Sequence, residues 1–197
     1  MIFEQILVGS MDNFSYLIGD ESSKEGAIVD PGWEVDKLLA EAKKHDLNIK
    51  IILMTHTHYD HLNSLRELVN ATDAVVYVHE KEENEVRNIG ITNTKTIKDN
   101  DKIKVGKIKV KVIHTPGHSP GSVCFLVENK LITGDTLFVE NIGRTDLPGG
   151  DAGTMTASLK KLKKLKDDIE VYPGHDYGSK KNSTIAHEKK HNFHMRD

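Results

Sequence analysis

Three histidines and one aspartate follow directly on a short run rich in isoleucine and leucine, and this arrangement constrains the fold more than any other feature. Residues 49–54 read IKIILM and residues 55–61 read THTHYDH. The run is too short for a helix and shows no polar alternation, so it predicts a strand that is buried on both faces. A buried strand that ends in four potential metal ligands predicts a metal site at the edge of a sheet.

Strand and helix patterns recur along the chain in two similar halves. Strands are predicted at residues 2–8, 14–19, 26–32, 49–54, 74–79, 108–114, 122–128, 130–135 and 169–175. Helices are predicted at residues 34–46, 62–71, 80–88 and 154–168 and in the tail from residue 182. The polar stretch at 90–102 carries no predicted element. We therefore expect one α/β domain over residues 1–197, with halves of about 1–100 and 101–197 whose sheets pack face to face beneath outer helices.

Residue types that bind metals also stand at the ends of other predicted strands. His118, Asp135 and His175 each come at or just after the end of an apolar run, beside glycine or proline. If these strand ends share one edge of the sandwich, the three side chains converge with those of the THTHYDH segment.

The THTHYDH segment can offer ligands to two ions. Side chains alternate with period two, so His56, His58 and Asp60 point the same way if the segment stays extended. His61 follows where the chain turns into the next helix. Seven candidate ligands are too many for one tetrahedral ion and suit two ions with one bridging carboxylate.

Composition limits the remaining classes of function. The chain has a formal net charge of −3 and 29% charged residues, so we expect neither a nucleic acid nor a membrane as partner. No apolar run approaches the ~20 residues that span a bilayer, and the N-terminus has no signal-peptide pattern. Cys124 is the only cysteine, so no internal disulfide forms, and we expect a cytoplasmic protein with Cys124 in its core.

Five motifs together resemble the metallo-β-lactamase superfamily. They are DPG (30–32), HTHYDH (56–61), TPGHSPGS (115–122), TGD (133–135) and YPGH (172–175). The resemblance implies a four-layer αββα sandwich of two mixed β-sheets with helices outside. It also implies two metal ions, with these ligands: His56, His58 and His118 for one ion, Asp60, His61 and His175 for the other, and Asp135 for both.

Within that superfamily the chain is most similar to short glyoxalase II-like hydrolases, that is, enzymes like hydroxyacylglutathione hydrolase. GRTDLPGGD (143–151) resembles the loop after their bridging aspartate, and HEKKHN (187–192) resembles their ending. The resemblance implies a small-molecule thioester substrate of the S-lactoylglutathione type, cleaved by a hydroxide that bridges two divalent metal ions. Zinc is the expected metal, with iron or manganese as alternatives.

The expected chemistry favours a thioester over an amide. Two dications against two ligand carboxylates leave the centre electropositive, so it can polarise a carbonyl and supply hydroxide at neutral pH. Asp60 could orient that hydroxide by a hydrogen bond. A thiolate, with a free pKa of ~8.5, leaves with little help from a general acid, and no proton donor that an amide would need is evident.

The thiol carrier is left open by two features. Arg144 could bind a substrate carboxylate bidentately, or it could pair with Asp146 or Asp151. The helical domain that helps full-length glyoxalase II bind glutathione has no counterpart in this sequence. Another thiol, or a broad range of thioesters and lactones, is therefore an alternative to glutathione thioesters.

Two rival activities share the fold. Persulfide dioxygenases resemble this chain in most motifs, and in them the counterparts of His56, His118 and Asp135 hold one iron ion. A promiscuous lactonase or β-lactamase-like hydrolase is the second rival.

The remaining histidines are not expected to be ligands of the metal centre. HEKKH (187–191) fits the zinc-protease helix pattern, but little sequence follows it to form a cleft, so the protease interpretation is rejected. Six histidines are interpreted as structural or surface residues: His45, His79, His114, His187, His191 and His194.

Overall fold

A computed structural model describes residues 1–196, in which two six-stranded sheets and a two-stranded hairpin are joined by six α-helices. The strands of the first sheet are β1 (Ile2–Val8), β2 (Asn13–Gly19), β3 (Glu25–Val29), β4 (Asn48–Leu53), β5 (Val75–His79) and β6 (Thr94–Ile97). Those that follow are β7 (Lys102–Val105), β8 (Ile108–His114), β9 (Val123–Val127), β10 (Lys130–Gly134), β11 (Leu137–Phe138), β12 (Asn141–Ile142), β13 (Glu170–Pro173) and β14 (Ser183–Thr184). The helices are α1 (Val35–Lys44), α2 (Tyr59–Leu62), α3 (Leu65–Thr72), α4 (Glu83–Asn88), α5 (Ala152–Leu162) and α6 (Ile185–His191).

Both large sheets are mixed. The first has the order β1-β2-β3-β4-β5-β6, antiparallel from β1 to β3 and parallel from β3 to β6. The second has the order β14-β13-β10-β9-β8-β7, in which only β10 and β13 run parallel. The first sheet uses strands within residues 2–97 and the second uses strands within residues 102–184. The single-domain organisation with two halves stays a prediction.

Three apolar layers hold the sandwich together. Along β2, Phe14 and Tyr16 pack in the core between the sheets, whereas Leu17 faces the helices on the outer side. This split follows from the period-two alternation of side chains along a strand. Helix α1 buries Val35, Leu38 and Ala42, an apolar stripe at helical spacing, and α5 covers the outer face of the second sheet in the same way. The predicted four-layer αββα sandwich is therefore confirmed.

Several predicted boundaries were wrong. The helix expected over residues 62–71 is two helices, because the chain turns between Leu62 and Leu65, and α2 begins at Tyr59. The stretch at 90–102 contains β6 and the start of β7. Strand β6 reads TKTI and exposes its two middle side chains, so hydrophobicity gives little signal for it.

Three further predicted elements begin at different residues in the structure. Strand β14 pairs with β13 where the sequence predicted the start of a helical tail at residue 182, and helix α6 begins only at Ile185. The helix predicted at 80–88 begins as a 3-10 turn over Glu80–Glu82, and Glu82 in that turn is buried. Helix α5 begins earlier than predicted because the Asp151 side chain caps it by accepting from the backbone N–H of Thr154. Within residues 1–196 no helix combines the length and the apolar character that crossing a bilayer requires.

Candidate metal centre

All seven predicted ligand residues lie at one end of the two sheets, beneath a cleft of about 470 Å³. They come from strand ends and the loops beyond them, as the sequence predicted. The elements that carry them are the β4–α2 segment for His56, His58, Asp60 and His61, the loop after β8 for His118, and the ends of β10 and β13 for Asp135 and His175.

The ligand atoms form two groups. In the first ligand group, His56, His58 and His118 place one ring nitrogen each within 4.8 Å of one another. In the second ligand group, the ligand atoms of Asp60, His61 and His175 meet the same distance limit.

The extended-segment argument was correct for only part of the motif. His56 and His58 precede α2, but Asp60 and His61 belong to that helix. The condition under which Asp60 would share a face with His56 and His58, an extended segment through residue 60, is therefore not met. The turn of α2 directs Asp60 and His61 towards His175 instead, and this turn separates the two ligand groups.

Asp135 lies between the two groups. Its Oδ2 atom is 3.5 Å from Nε2 of His118 and 3.4 Å from Nε2 of His175. Its Oδ1 atom is 3.3 Å from Nε2 of His61. One carboxylate thus faces both ligand groups, which is the position that a bridging ligand requires.

Hydrogen bonds on the outer side of the rings fix which nitrogen faces the centre. Nδ1 of His118 is 2.8 Å from the backbone oxygen of Arg144, and Nδ1 of His175 is 2.8 Å from that of Met11. Because a carbonyl oxygen only accepts, each Nδ1 donates, and the Nε2 atom of each neutral ring keeps its lone pair for a metal ion.

Asp30 orients two further rings. Its carboxylate accepts from the backbone N–H of Thr55 at 2.7 Å, the Thr55 hydroxyl at 2.5 Å and Nδ1 of His61 at 3.0 Å. Since the Thr55 hydroxyl proton is used on Asp30, Oγ1 of Thr55 accepts from Nδ1 of His56 at 3.0 Å. Asp30 is close enough to His56 and His61 to be a ligand itself, but these three donors already occupy its oxygens. The sequence motif DPG marked this loop without revealing the role of Asp30.

The electrostatics of the centre stabilise positive charge. Burial would raise the pKa of Asp60, but the hydrogen bond from His175 and the charge of His61 lower that pKa to about 2. Burial would also raise the pKa of Asp135, but the charge of His61 and the hydrogen bonds with His175 and His61 together outweigh it and lower that pKa well below the usual range. In return, hydrogen bonds with Asp135 and Asp60 raise the pKa of His175 to about 9 against the effect of burial. Burial and the charge of His61 lower the pKa of His56, which keeps that ring neutral and able to bind a metal.

The residues present fit divalent metal ions. Nε2 of His56 and Oδ1 of Asp135 are buried, and neither has a hydrogen-bond partner within the described part of the chain. Buried polar atoms are normally satisfied, so two such atoms facing one centre require an explanation. Imidazole nitrogens combined with carboxylates are the donor set of zinc and similar borderline metals.

Asn13 supports the second ligand group and was not identified from the sequence. Its side-chain N–H₂ donates to Oδ2 of Asp60 at 2.9 Å, and its Oδ1 accepts from the Trp33 indole at 3.1 Å. A Cβ on Gly32 would lie 1.9 Å from the backbone oxygen of Asp60. Only glycine at this position therefore allows α2 to approach the DPG loop.

Glu82 supports the first ligand group and was also missed. Its carboxylate accepts from the Thr57 hydroxyl at 2.9 Å, from the backbone N–H of Gly121 at 2.8 Å, and from the Ser119 hydroxyl. Thr57 lies between His56 and His58, and Ser119 follows His118. Glu82 therefore ties together the two segments that supply this group.

Arg144 lies at the cleft, but its guanidinium is already paired. Its Nε and Nη2 atoms each donate to an oxygen of Asp146 at 2.9 Å, and both side chains are 68% exposed. Of the alternatives that the sequence left open, the pair with Asp146 is the one formed. His79 and His114 stack on each other with ring centroids 4.1 Å apart, and neither joins a ligand group.

The family profile of the metallo-β-lactamase superfamily matches residues 9–175. The chain therefore belongs to this superfamily, whose members bind divalent metals and include many hydrolases. Hydroxyacylglutathione hydrolase GloC of Haemophilus influenzae is 32% identical over 210 residues, covering 98% of this chain and 97% of GloC.

Two solved structures are similar over almost the whole chain. ETHE1 from Myxococcus xanthus matches with a TM-score of 0.89 and 34% identity, over 98% of this chain and 84% of that chain. TTHA1623 in a di-iron-bound form matches with a TM-score of 0.80 and 32% identity, over 96% of this chain and 98% of that chain.

Proposed function

We propose that this chain is a binuclear metal hydrolase that cleaves thioesters, the reaction type that S-lactoylglutathione represents. The observation that carries the proposal is Asp135, whose two oxygens lie within 3.5 Å of Nε2 atoms from both ligand groups. The identity of 32% with GloC, a hydroxyacylglutathione hydrolase, supports it. The similarity to a di-iron-bound protein supports a centre of two ions, which would be zinc, with iron or manganese as alternatives.

The proposed ligands form two sets, which are the two ligand groups defined above. The first ligand group would hold one ion and the second ligand group the other, with Asp135 as a shared ligand. Bound divalent ions supply Lewis acidity, which polarises a carbonyl and makes water a nucleophile at neutral pH.

Asp60 orients the attacking water and does not take up its proton. The pKa of Asp60 is about 2, so its carboxylate stays ionised and is a weak base. Asn13 holds Oδ2 of Asp60 by a hydrogen bond of 2.9 Å, which fixes the direction of that oxygen.

The leaving group decides between a thioester and an amide. The two tyrosine hydroxyls at the cleft are engaged: Tyr59 donates to Sδ of Met11 at 2.9 Å, and Tyr177 donates to the backbone oxygen of Met11 at 3.0 Å. An amide nitrogen must be protonated as it leaves, whereas a thiolate with a pKa of ~8.5 leaves without a proton. The absence of a free donor among these hydroxyls favours a thioester.

Metal analysis combined with a thioester assay tests the proposal. Protein loaded with zinc should hold two ions per chain and hydrolyse S-lactoyl thioesters, and Asp135→Asn should lower both the metal content and the rate. Asp101→Asn, an exposed carboxylate outside the centre, is the matched control. Two bound ions with no thioester hydrolysis would refute the assigned activity.

A persulfide dioxygenase is the second candidate, and the match to ETHE1 favours it. In that case His56, His118 and Asp135 would hold a single iron ion. Protein expressed without added metal would then contain one iron per chain, and a persulfide would cause oxygen uptake. Two ions per chain and no oxygen uptake would exclude this candidate.

A further inference from the structure

The walls of the cleft above the two ligand groups are mainly apolar. The side chains that form these walls are Met11, Tyr59, Phe138, Leu147, Pro148 and Tyr177. Tyr59 is 60% exposed and Tyr177 is 54% exposed. Aromatic rings that stand open at the mouth of a cleft offer contact area to an apolar ligand group, which would remove them from water.

These walls are held in place before any ligand arrives. The hydroxyls of Tyr59 and Tyr177 both donate to Met11, one to its sulfur and one to its backbone oxygen. The ring of Tyr177 stacks on His175 at 4.5 Å and meets Phe138 edge-on at 5.6 Å. A preformed apolar wall costs little ordering entropy when a ligand binds.

The cleft walls offer no unpaired cationic side chain to an anionic ligand group among residues 1–196. Arg144 is the one lysine or arginine side chain that lines it among residues 1–196, and Asp146 neutralises that charge with two hydrogen bonds of 2.9 Å. A ligand carboxylate near Arg144 would have to displace Asp146 and then lie beside it.

We propose that this cleft selects thioesters with an apolar acyl chain on an uncharged thiol, and that it discriminates against glutathione thioesters. The proposal rests on the thioester hydrolase function proposed above. In the reaction, the oxygen of water bonds to the acyl carbon and the C–S bond breaks. The products are a carboxylate, the free thiol and one proton.

Matched thioesters test both parts of the selectivity. On N-acetylcysteamine, which is uncharged, the acyl series acetyl, butanoyl and hexanoyl should show kcat/KM rising at least about tenfold, below a ceiling of about fourfold per methylene. With a lactoyl group on both carriers, the N-acetylcysteamine thioester should be hydrolysed with the higher kcat/KM.

Two variants test which residues cause the preference for an apolar acyl chain and the discrimination against glutathione. Leu147→Ala should lower kcat/KM about fivefold for the hexanoyl thioester and less than about twofold for the acetyl thioester, because the longer acyl chain has more apolar surface to bury against this wall. Asp146→Asn frees Arg144 and should lower KM for S-lactoylglutathione about threefold to tenfold, while values for uncharged thioesters stay within about twofold. Asp167→Asn is the matched control, since Asp167 is also 68% exposed and paired with a lysine, Lys189, rather than with Arg144.

Each outcome bears on one of the two proposals. A flat acyl series, or a kcat/KM for S-lactoylglutathione above that of its uncharged counterpart, would overturn the selectivity while leaving thioester hydrolysis intact. An Asp146→Asn variant that behaves like Asp167→Asn would overturn the role of charge. If no thioester of any kind were hydrolysed by the metal-loaded protein, the proposed function itself would fail, and the selectivity would fail with it.

Discussion

Replacement of Glu82 should weaken metal binding at the first ligand group and leave the second group nearly intact. Glu82 is 4% exposed and contacts neither ligand group directly. It accepts hydrogen bonds from Thr57, Ser119 and the backbone of Gly121. These bonds join the segment that carries His56 and His58 to the loop that carries His118, so the spacing of the three rings depends on this one carboxylate.

The expected loss of stability depends on whether each hydrogen-bond donor finds another acceptor when Glu82 is removed. A buried donor left unsatisfied costs roughly 1–3 kcal/mol, so three of them set a ceiling of about 9 kcal/mol. Ser119 already lies 2.7 Å from the hydroxyl of Ser122, and Thr57 is only part-buried, so both hydroxyls can find other partners. The backbone N–H of Gly121 has no such freedom. We therefore expect Glu82→Ala to lower the free energy of unfolding by about 2–4 kcal/mol.

Glu82→Gln should be much milder. The amide oxygen can keep the bonds from Ser119 and Gly121, while the amide N–H₂ can donate to the Thr57 hydroxyl oxygen. Only the charge assistance of the bonds is lost, which corresponds to about 1 kcal/mol.

Metal affinity separates a positioning role from a purely structural one. Loss of a group that orients ligands typically costs 10–100-fold in affinity, so zinc titration of Glu82→Ala against a chromophoric chelator should show one weakened ion and one of normal affinity. Glu85→Ala removes the same charge from an exposed position of α4 and should leave both ions unchanged. Equal weakening of both ions, or unchanged affinity despite a lower melting temperature, would refute the reasoning.

Three further predictions concern other parts of the fold. Gly174→Ala places a Cβ 2.3 Å from Oδ1 of Asp135 and should abolish tight zinc binding in a zinc titration, whereas Gly153→Ala, at an open helical position, should bind normally. Burial raises the pKa of Cys124 to about 11, so a thiol reagent at pH 8 should label the folded protein far more slowly than the unfolded chain; rapid labelling of the folded protein would contradict this. Burial lowers the pKa of His79 to about 4, below the unfolded value of about 6.5, so protonation favours the unfolded chain. Stability should therefore fall by about 1–2 kcal/mol between pH 6.5 and pH 4, and urea titrations of His79→Asn should show a smaller fall.

The convergence of the candidate ligand residues could be predicted from the sequence because their residue types carry the chemistry of a metal site. A single histidine or aspartate at a strand end carries little information, but several at successive strand ends indicate a shared site. The supporting residues carried no such signal. Asn13 and Asp60 are 47 positions apart, and Glu82 and Gly121 are 39 positions apart, so these roles arise only when the chain folds. Strand β6 was missed for a related reason: its pairing with β5 is made by the backbone, which side-chain patterns do not reveal.

The same long-range contacts explain why neither half of the chain can form the centre alone. The first ligand group takes His118 from the second half, and the second ligand group takes His175 from it. The supporting hydrogen bonds also join the two halves of the chain. Glu82 accepts from the backbone N–H of Gly121 in the loop after β8, and the backbone oxygen of Met11 accepts from His175. Metal ions that bind only when both sheets are packed stabilise that packing by mass action. In this sandwich, binding of metal at the proposed centre would therefore stabilise the docking of the two sheets, because each ligand group is complete only when both halves are packed together.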